Sequence, residues 1–292
     1  MTFHQPVLLD AVVQWINVQT SRGIYCDCTV GGAGHLLALL NNSVDATFIG
    51  IDWDPEAIAY ARAMIMPHKE RCFLFEDSFV NLGLILDRLK ITYVDGVLFD
   101  LGVSYHQVTT PERGFSFDRS GKLLMHMSPH TLPLAEKLNQ AQREEIIQVL
   151  KKYGDVRSAR KIGTAIFENK RSLVTTLDLR NLLEKIIPRR YLKKNLHKVF
   201  QALRIWTNNE LKNLETGLTV ALARLKQHGR IIVISYHSGE DRIVKNLFRE
   251  AQKRGEVLIL NKKVIRPSKD EVEKNPRARS AKLRAGEKCV VS

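Results

Sequence analysis

Ile24-Tyr25-Cys26-Asp27-Cys28-Thr29-Val30-Gly31-Gly32-Ala33-Gly34-His35 begins as a short apolar run, meets an acid and turns through glycines toward a helical segment. An apolar run this short, bounded by turn residues, is predicted to be a buried strand (Ile24 to Asp27). The glycines form a tight turn before a helix over His35 to Leu40. Working outward, the unit recurs. Thr47 to Asp52 reads as a second strand ending on an acid, and Asp54-Pro55-Glu56 starts the helix after it, which runs to Met64. There Asp54 serves as N-cap, proline takes the first helical position, and Glu56 sits by the positive end of the dipole. Phe73 to Phe75 and Gly96 to Asp100 are a third and fourth strand, and Leu8 to Ile16 is a helix ahead of them all. Four alternations predict a parallel α/β sheet that holds ligands at its strand carboxyl ends.

The pattern breaks after the fourth strand. From His106 to Leu196 no buried strand is expected, and Pro129, Pro133 and Pro188 punctuate the segment. Arg143 to Lys152 and Ala159 to Lys170 read as amphipathic helices with basic outer faces. One helix is expected over Phe200 to Leu225, with Phe200, Leu203, Trp206, Leu211 and Leu214 at helical spacing. The α/β pattern then resumes with a strand at Arg230 to Ser235, a helix at Glu240 to Lys253 and a strand at Val257 to Leu260. Lys262 to Arg284 is basic and lacks strong periodicity. The expected organisation is therefore an α/β domain in two parts, 1–105 and 200–292, interrupted by a helical insert over 106–199.

A chain of 292 residues can bury most of its unfolded surface, so it needs no disulfide or structural metal to hold a core. Its 44% hydrophobic and 26% charged residues exclude wholesale disorder, a coiled coil and a collagen-like chain. The net charge of +14 is unevenly spread. Residues 1–105 carry 6 basic and 12 acidic side chains, 106–200 carry 19 and 9, and 201–292 carry 20 and 10. An acidic front and a basic back suggest two jobs, the back being suited to a polyanion. No apolar run is long enough for a transmembrane helix. Met1-Thr2-Phe3-His4 lacks the basic start of a signal peptide, so a cytoplasmic protein with reduced thiols is expected. Cys26, Cys28, Cys72 and Cys289 fit no common zinc spacing, and no metal is expected. Cys26 and Cys28 are read as small hydrophobes on one strand face.

The candidate site gathers acids at strand ends: Asp27, Asp52 and Asp100, with Asp77 after the third strand. Asp52 follows Gly34 by 18 residues, near the offset at which an acid accepts ribose hydroxyls. The dinucleotide fingerprint is incomplete, because Leu37 occupies its third glycine. S-adenosylmethionine fits better than a nicotinamide dinucleotide. It has no pyrophosphate to seat, while its sulfonium and ammonium groups can face Asp27 or Asp100, and its adenine can lie beside Asp77-Ser78-Phe79. The plainer alternative is that these acids are helix caps and turn residues, and for Asp54 that alternative is preferred.

The residues also carry a resemblance. His4-x-Pro6-Val7-Leu8-Leu9, Asp27-x-Thr29, Gly31, Gly34-His35 and Asp52-x-Asp54-Pro55 begin it. Asp95-Gly96-x-Leu98-x-Asp100-Leu101-Gly102-Val103-Ser104, Glu112 to Phe117 and Tyr153-Gly154 continue it. Phe200 to Ile205, Asn208-x-Glu210-Leu211, Ser235-x-His237-Ser238-x-Glu240-Asp241-Arg242 and Asn275 to Ser280 with Lys282 to Arg284 complete it. Together they resemble the bacterial 16S rRNA cytosine-N4 methyltransferases of the RsmH (MraW) type, nearly end to end. The resemblance implies a Rossmann-like class I methyltransferase fold, with a mostly parallel seven-stranded sheet and an inserted all-α domain that recognises RNA. It implies methyl transfer from S-adenosylmethionine to a cytosine N4 in the decoding region of 16S rRNA, in the small ribosomal subunit. A homodimer is left open. The family's cofactor positions fall on Ala33, Gly34, His35, Asp52, Phe79, Asp100 and Gln107.

Cytosine N4 is a poor nucleophile, because its lone pair is conjugated into the ring. An oxygen acceptor on the amino protons helps it. Asp100 and Ser104 are expected to line that place, with His237 on the substrate side. Tyr105, Phe115 and Tyr236 are candidate stacking surfaces for an exposed base, with core packing as the alternative for each. Arg113, Arg204, Arg242, Arg277 and Arg279 are candidate phosphate contacts, or else structural ion pairs. The sequence departs from the family at Leu124-Met125-His126-Met127-Ser128, where both acids and the arginine of Asp-Met-Arg-Met-Asp are gone. It also departs at Tyr105-His106, at Lys194 to His197 and at Gly239. These changes bear on target recognition more than on the cofactor turn. A divergent methyltransferase with another nucleic-acid target and a non-catalytic RNA-binding relative remain the alternatives.

Overall fold

A computed structural model describes residues 6–18 and 22–290. His4 and the Met1-Thr2-Phe3-His4 start therefore lie outside the described residues. Two compact units form, one of Met1–Gly102 with Leu211–Ser292, the other of Val103–Glu210.

The first unit starts with α1 (Leu9–Ile16), β1 (Ile24–Asp27), α2 (Gly34–Asn41), β2 (Thr47–Asp52) and α3 (Pro55–Met64). It continues with β3 (Cys72–Glu76), α4 (Leu82–Arg88) and β4 (Val94–Asp100). The second unit holds α5 (Tyr105–Thr109), α6 (Leu134–Gln140), α7 (Arg143–Gly154), α8 (Ala159–Asn169), α9 (Thr176–Ile186) and α10 (Arg189–Asn208). The chain then completes the sheet with α11 (Glu210–Ala223), β5 (Leu225–Ser235), α12 (Ser238–Lys253), β6 (Val257–Ile259), α13 (Lys269–Lys274) and β7 (Lys282–Lys288).

The seven strands lie in the order β3-β2-β1-β4-β5-β7-β6. Neighbours from β3 to β5 run parallel, and β7 runs antiparallel to both β5 and β6. This is the mostly parallel sheet expected, and its chain order reverses between β1 and β4. Ligands of open α/β sheets bind at such a reversal.

Strand residues alternate between two apolar faces, as the two-residue period of a strand demands. Val97, Phe99, Ile231 and Val233 pack with α4, α11 and α12 on one face. Leu98, Ile232 and Ile234 pack with α1 and α2 on the other. Cys26 and Cys28 are buried together on the first of these faces, as free thiols.

Three expectations need correction. The single helix over Phe200 to Leu225 is two helices. Asn209 takes a left-handed backbone (φ 50), ends α10 and separates it from α11. α10 also starts earlier, directly after Pro188, because its lysine-rich first half still places Leu196, Val199 and Phe200 on the apolar side. Finally, the basic segment Lys262 to Arg284 feeds a buried strand. β7 alternates charged residues with Leu283 and Ala285, so it reads as polar although it pairs on both edges.

The second unit has its own core around Leu138, Ile146, Leu150, Ile162, Leu183, Leu203 and their neighbours. Its described residues contain no strand, only a bridge between Lys122 and Thr175.

Candidate active site

The loop from β1 into α2 ties three strand ends together. Thr29 N–H donates to Asp27 Oδ1 (3.0 Å), and Thr29 Oγ1 accepts the backbone N–H of Asp100 at the end of β4 (2.6 Å). Gly31 N–H donates to Asp52 Oδ2 at the end of β2 (2.8 Å), while Asp52 Oδ1 accepts from Asp54 N–H (3.0 Å). Gly31 (φ 48) and Ala33 (φ 59) both take left-handed backbone, and only glycine does so without strain. Alanine at position 33 therefore holds a costly conformation, fixed by burial of its methyl group. Asp54 is the N-cap of α3 and accepts from Glu56 N–H, the role preferred for it from sequence.

Asp27, Asp52 and Asp100 thus converge at the reversal of the sheet. No lysine or arginine pairs with any of them among the described residues. Asp27 is buried, and its Oδ2 has no hydrogen-bond partner among the described residues. Burial drives all three carboxyls upward, Asp27 and Asp52 to about 6 and Asp100 to about 7. Repulsion from Asp100 and Asp52 adds to the rise of Asp27, and Glu240 adds to that of Asp100. His35, also buried, is pushed down by loss of solvent. Its Nε2 lies 2.9 Å from the Val7 carbonyl, so that nitrogen carries the proton, and its Nδ1 faces Asp100 Oδ2 at 3.6 Å.

Tyr236 is placed differently from expectation. Its hydroxyl donates to Asp100 Oδ1 (2.8 Å), and its ring lies where a side chain at Gly102 would meet it. Its hydroxyl is therefore committed to Asp100, while the half-buried ring packs by Gly102. His237 likewise has a structural task. It is the N-cap of α12, and its Nδ1 accepts from Gly239 N–H (3.2 Å) and Glu240 N–H (3.3 Å). Glu240 Oε2 completes the box by accepting from the backbone N–H of Tyr236 (2.8 Å) and His237 (3.2 Å). Nε2 lies 3.0 Å from Glu240 Oε1 but makes no hydrogen bond among the described residues. His-x-x-Glu at a helix start was the signal for this box.

Phe79 packs edge-on to Phe99 (5.5 Å between centroids) and tilted to Trp53 (6.3 Å), forming an aromatic wall past β2 and β3. Trp53 was not singled out from sequence, although it directly follows Asp52. Of the basic candidates in this unit, Arg242 and Arg279 are exposed and Arg277 is half-buried.

The remaining candidates lie in the second unit. Ser104 caps α5, with its Oγ accepting from Gln107 N–H (3.1 Å) and Gln107 Oε1 accepting from Ser104 N–H (3.0 Å). Both side chains are thus used by the capping box. Tyr105 is 41% exposed, whereas Phe115 is buried. Arg204 forms a two-pronged pair with Glu210, both bonds 2.8 Å. Arg113 donates to the carbonyls of His126 and Met127, each at 3.4 Å. Asn208 holds the same segment, through Met127 N–H (2.9 Å) and the Met125 carbonyl (2.8 Å). The stretch from Leu124 to Ser128 is therefore held both through its backbone and by the burial of Met125 and Met127.

The geometry now meets the known proteins. The MraW methylase family profile matches residues 1–289. The ribosomal RNA small subunit methyltransferase H of Coprothermobacter proteolyticus is 40% identical over 290 residues, covering 98% of this chain and 96% of that protein. The protein of the same name from Thermotoga neapolitana is 40% identical over 292 residues, covering 98% and 96%. That from Persephonella marina is 40% identical over 294 residues, covering 99% and 100%. The chain belongs to the MraW methylase family.

Proposed function

We propose that this protein transfers a methyl group from S-adenosylmethionine to the exocyclic N4 of a cytosine in the decoding region of 16S rRNA, on the small ribosomal subunit. The observation that carries the reading is the knot of three strand-end carboxyls with no cationic side chain among them, in a chain of this family. Such a knot is costly unless a positively charged ligand answers it. A sulfonium and an ammonium group fit that need, and Asp27 Oδ2, buried with no hydrogen-bond partner among the described residues, would be answered by one of them. When bound, S-adenosylmethionine supplies an electrophilic methyl group.

Asp52 accepts ribose hydroxyls with lone pairs left free by its two backbone bonds, and Ala33, Gly34 and His35 keep the turn close to the ligand. Phe79, backed by Trp53, lines the adenine. Asp100 takes the amino proton of cytosine on Oδ2, because Oδ1 already accepts from Tyr236. A carboxyl titrating near 7 is well matched to that transfer at neutral pH. His237 and Tyr236 act as positioning residues. Ser104 and Gln107 fix the start of α5, from which the exposed ring of Tyr105 is presented for stacking. Arg242, Arg277 and Arg279 contact phosphates, while Arg204, Arg113 and Phe115 hold the second unit together. This helical unit recognises RNA, and a ribosomal substrate places the protein in the cytoplasm.

The test is transfer of tritium from labelled S-adenosylmethionine to small ribosomal subunits, with the modified base mapped. Label on a cytosine N4 of the decoding region is expected. Asp100→Asn should lower the rate on the order of 100-fold or more while the protein still melts in one cooperative transition. Label on another base, or wild-type rates from Asp100→Asn, would overturn the reading or the assignment respectively.

A further inference from the structure

A second site lies away from the acids, between α12 and β6. An open cavity of about 300 Å³ is lined by Lys245, Phe248, Arg249, Gln252, Leu258, Ile259, Lys262 and Arg284. Four cations and no carboxylate line it. Arg284 gives its Nε to Asp241, but Lys245, Arg249 and Lys262 have no ion-pair partner among the described residues. Arg242, Lys245, Arg249 and Gln252 follow one face of α12 at helical spacing. The floor is apolar. Phe248 is buried, and Leu258 stays 50% exposed among the cationic lining residues. Because β6 and β5 are both antiparallel to β7, β6 points the same way as the parallel strands. Lys262 therefore stands past the same sheet edge as the acids.

We propose that this cavity binds one unpaired nucleotide of an RNA strand, its phosphate held by Lys245, Arg249 and Lys262 and its base laid on Leu258. The inference rests on the RNA substrate proposed above. Unpaired bases offer an apolar face beside a phosphate, and the cavity offers an apolar floor beside cations. An acidic peptide would satisfy the cations but leave the exposed leucine unanswered. The strand would thereby be gripped on the β6 side of the sheet, with β5 and β7 between it and the Asp100 end of β4, and the contact would act on binding rather than on chemistry.

The probe is a fluorescein-labelled single-stranded oligoribonucleotide, titrated with the full chain by anisotropy across a salt series. Lys245→Gln with Arg249→Gln should weaken binding about tenfold and reduce the salt slope by about 1.4, the value for two lost contacts on a single strand. Leu258→Ser should weaken binding to this probe but not to one carrying abasic sites. Arg62→Gln with Lys69→Gln removes the same charge from exposed positions elsewhere and should change little. Equal losses from both double variants would mean general charge attraction and overturn the proposal. So would an unchanged slope in the first pair, or a glutamate-rich peptide displacing the probe as well as unlabelled RNA does. In methyl transfer to small subunits, the first pair should raise KM and spare kcat. If the wild-type protein transfers no methyl group, the proposed function fails while the anisotropy result still judges this site.

Discussion

Asp100 is controlled by neighbours of three kinds. The backbone N–H of Asp100 is fixed by Thr29, its Oδ1 by the Tyr236 hydroxyl, and its Oδ2 faces the neutral His35 ring. Burial raises its carboxyl to about 7, and the Tyr236 bond opposes the rise by favouring the charged form. A proton acceptor works only when ionised, so the rate should fall as pH drops through about 7. Tyr236→Phe removes the opposing bond. The acid limb of the kcat/KM profile should then move to higher pH, with the rate at pH 7 lower by about tenfold. An unmoved limb would show that the hydroxyl does not tune Asp100. If Tyr236 served mainly as a stacking surface, phenylalanine would preserve it and the profile would not change.

At the scale of elements, the start of α12 joins fold and site. The His237–Glu240 box satisfies four backbone N–H groups at the point where β5 hands its last residues to the ligand edge. His237→Ala should cost about 1 kcal/mol of stability through loss of the cap. His237→Asn keeps an N-cap acceptor but no titratable ring, and should retain both stability and methyl transfer. Melting curves and transfer rates of the two variants separate the roles, since an acid–base histidine would lose activity in both. β7 is anchored at the same place. Lys282 and Arg284 reach Asp241 in the first turn of α12, at 3.0 and 2.8 Å, and hold that carboxyl below its ordinary range.

For the whole molecule, three raised carboxyls make stability depend on pH. In the folded state Asp27, Asp52 and Asp100 hold protons up to about 6, 6 and 7, whereas the unfolded chain releases them near its ordinary value of 3.8. The folded state thus binds more protons across that window, so stability falls as pH rises through it. The cofactor-free protein should melt several degrees lower at about pH 8 than at about pH 5, and Asp100→Asn should narrow the gap. Buried His35, held below its ordinary value, opposes this fall, so the acids are judged by the variant: a gap left unchanged by Asp100→Asn would refute the part of Asp100 in the knot. A cationic ligand should favour the ionised acids and restore stability most at the higher pH. The charge division has a counterpart in the two units. The cofactor-side acids lie in the first, while the helical second unit carries part of the basic excess that an RNA partner requires.

Local pattern was enough to determine the strands through β6, the glycine turn and the acids at strand ends. Buried strands need continuous apolar runs, and turns need glycine, whatever surrounds them. Asp54 as a cap was legible for the same reason, because its partner lies two residues away. β7 was hidden, since its charged residues are neutralised by Asp241 and Glu287's partner Arg230, both distant in sequence. The break at Asn209 was hidden too, because apolar spacing continues across it and only packing selects the left-handed residue. Tertiary structure alone decided that Tyr236 serves Asp100 across 136 positions of sequence, that Trp53 backs Phe79, and that α12 and β6 enclose a basic cavity. Each depends on which strands become neighbours, and that order is set by burying the whole sheet rather than by any one stretch of it.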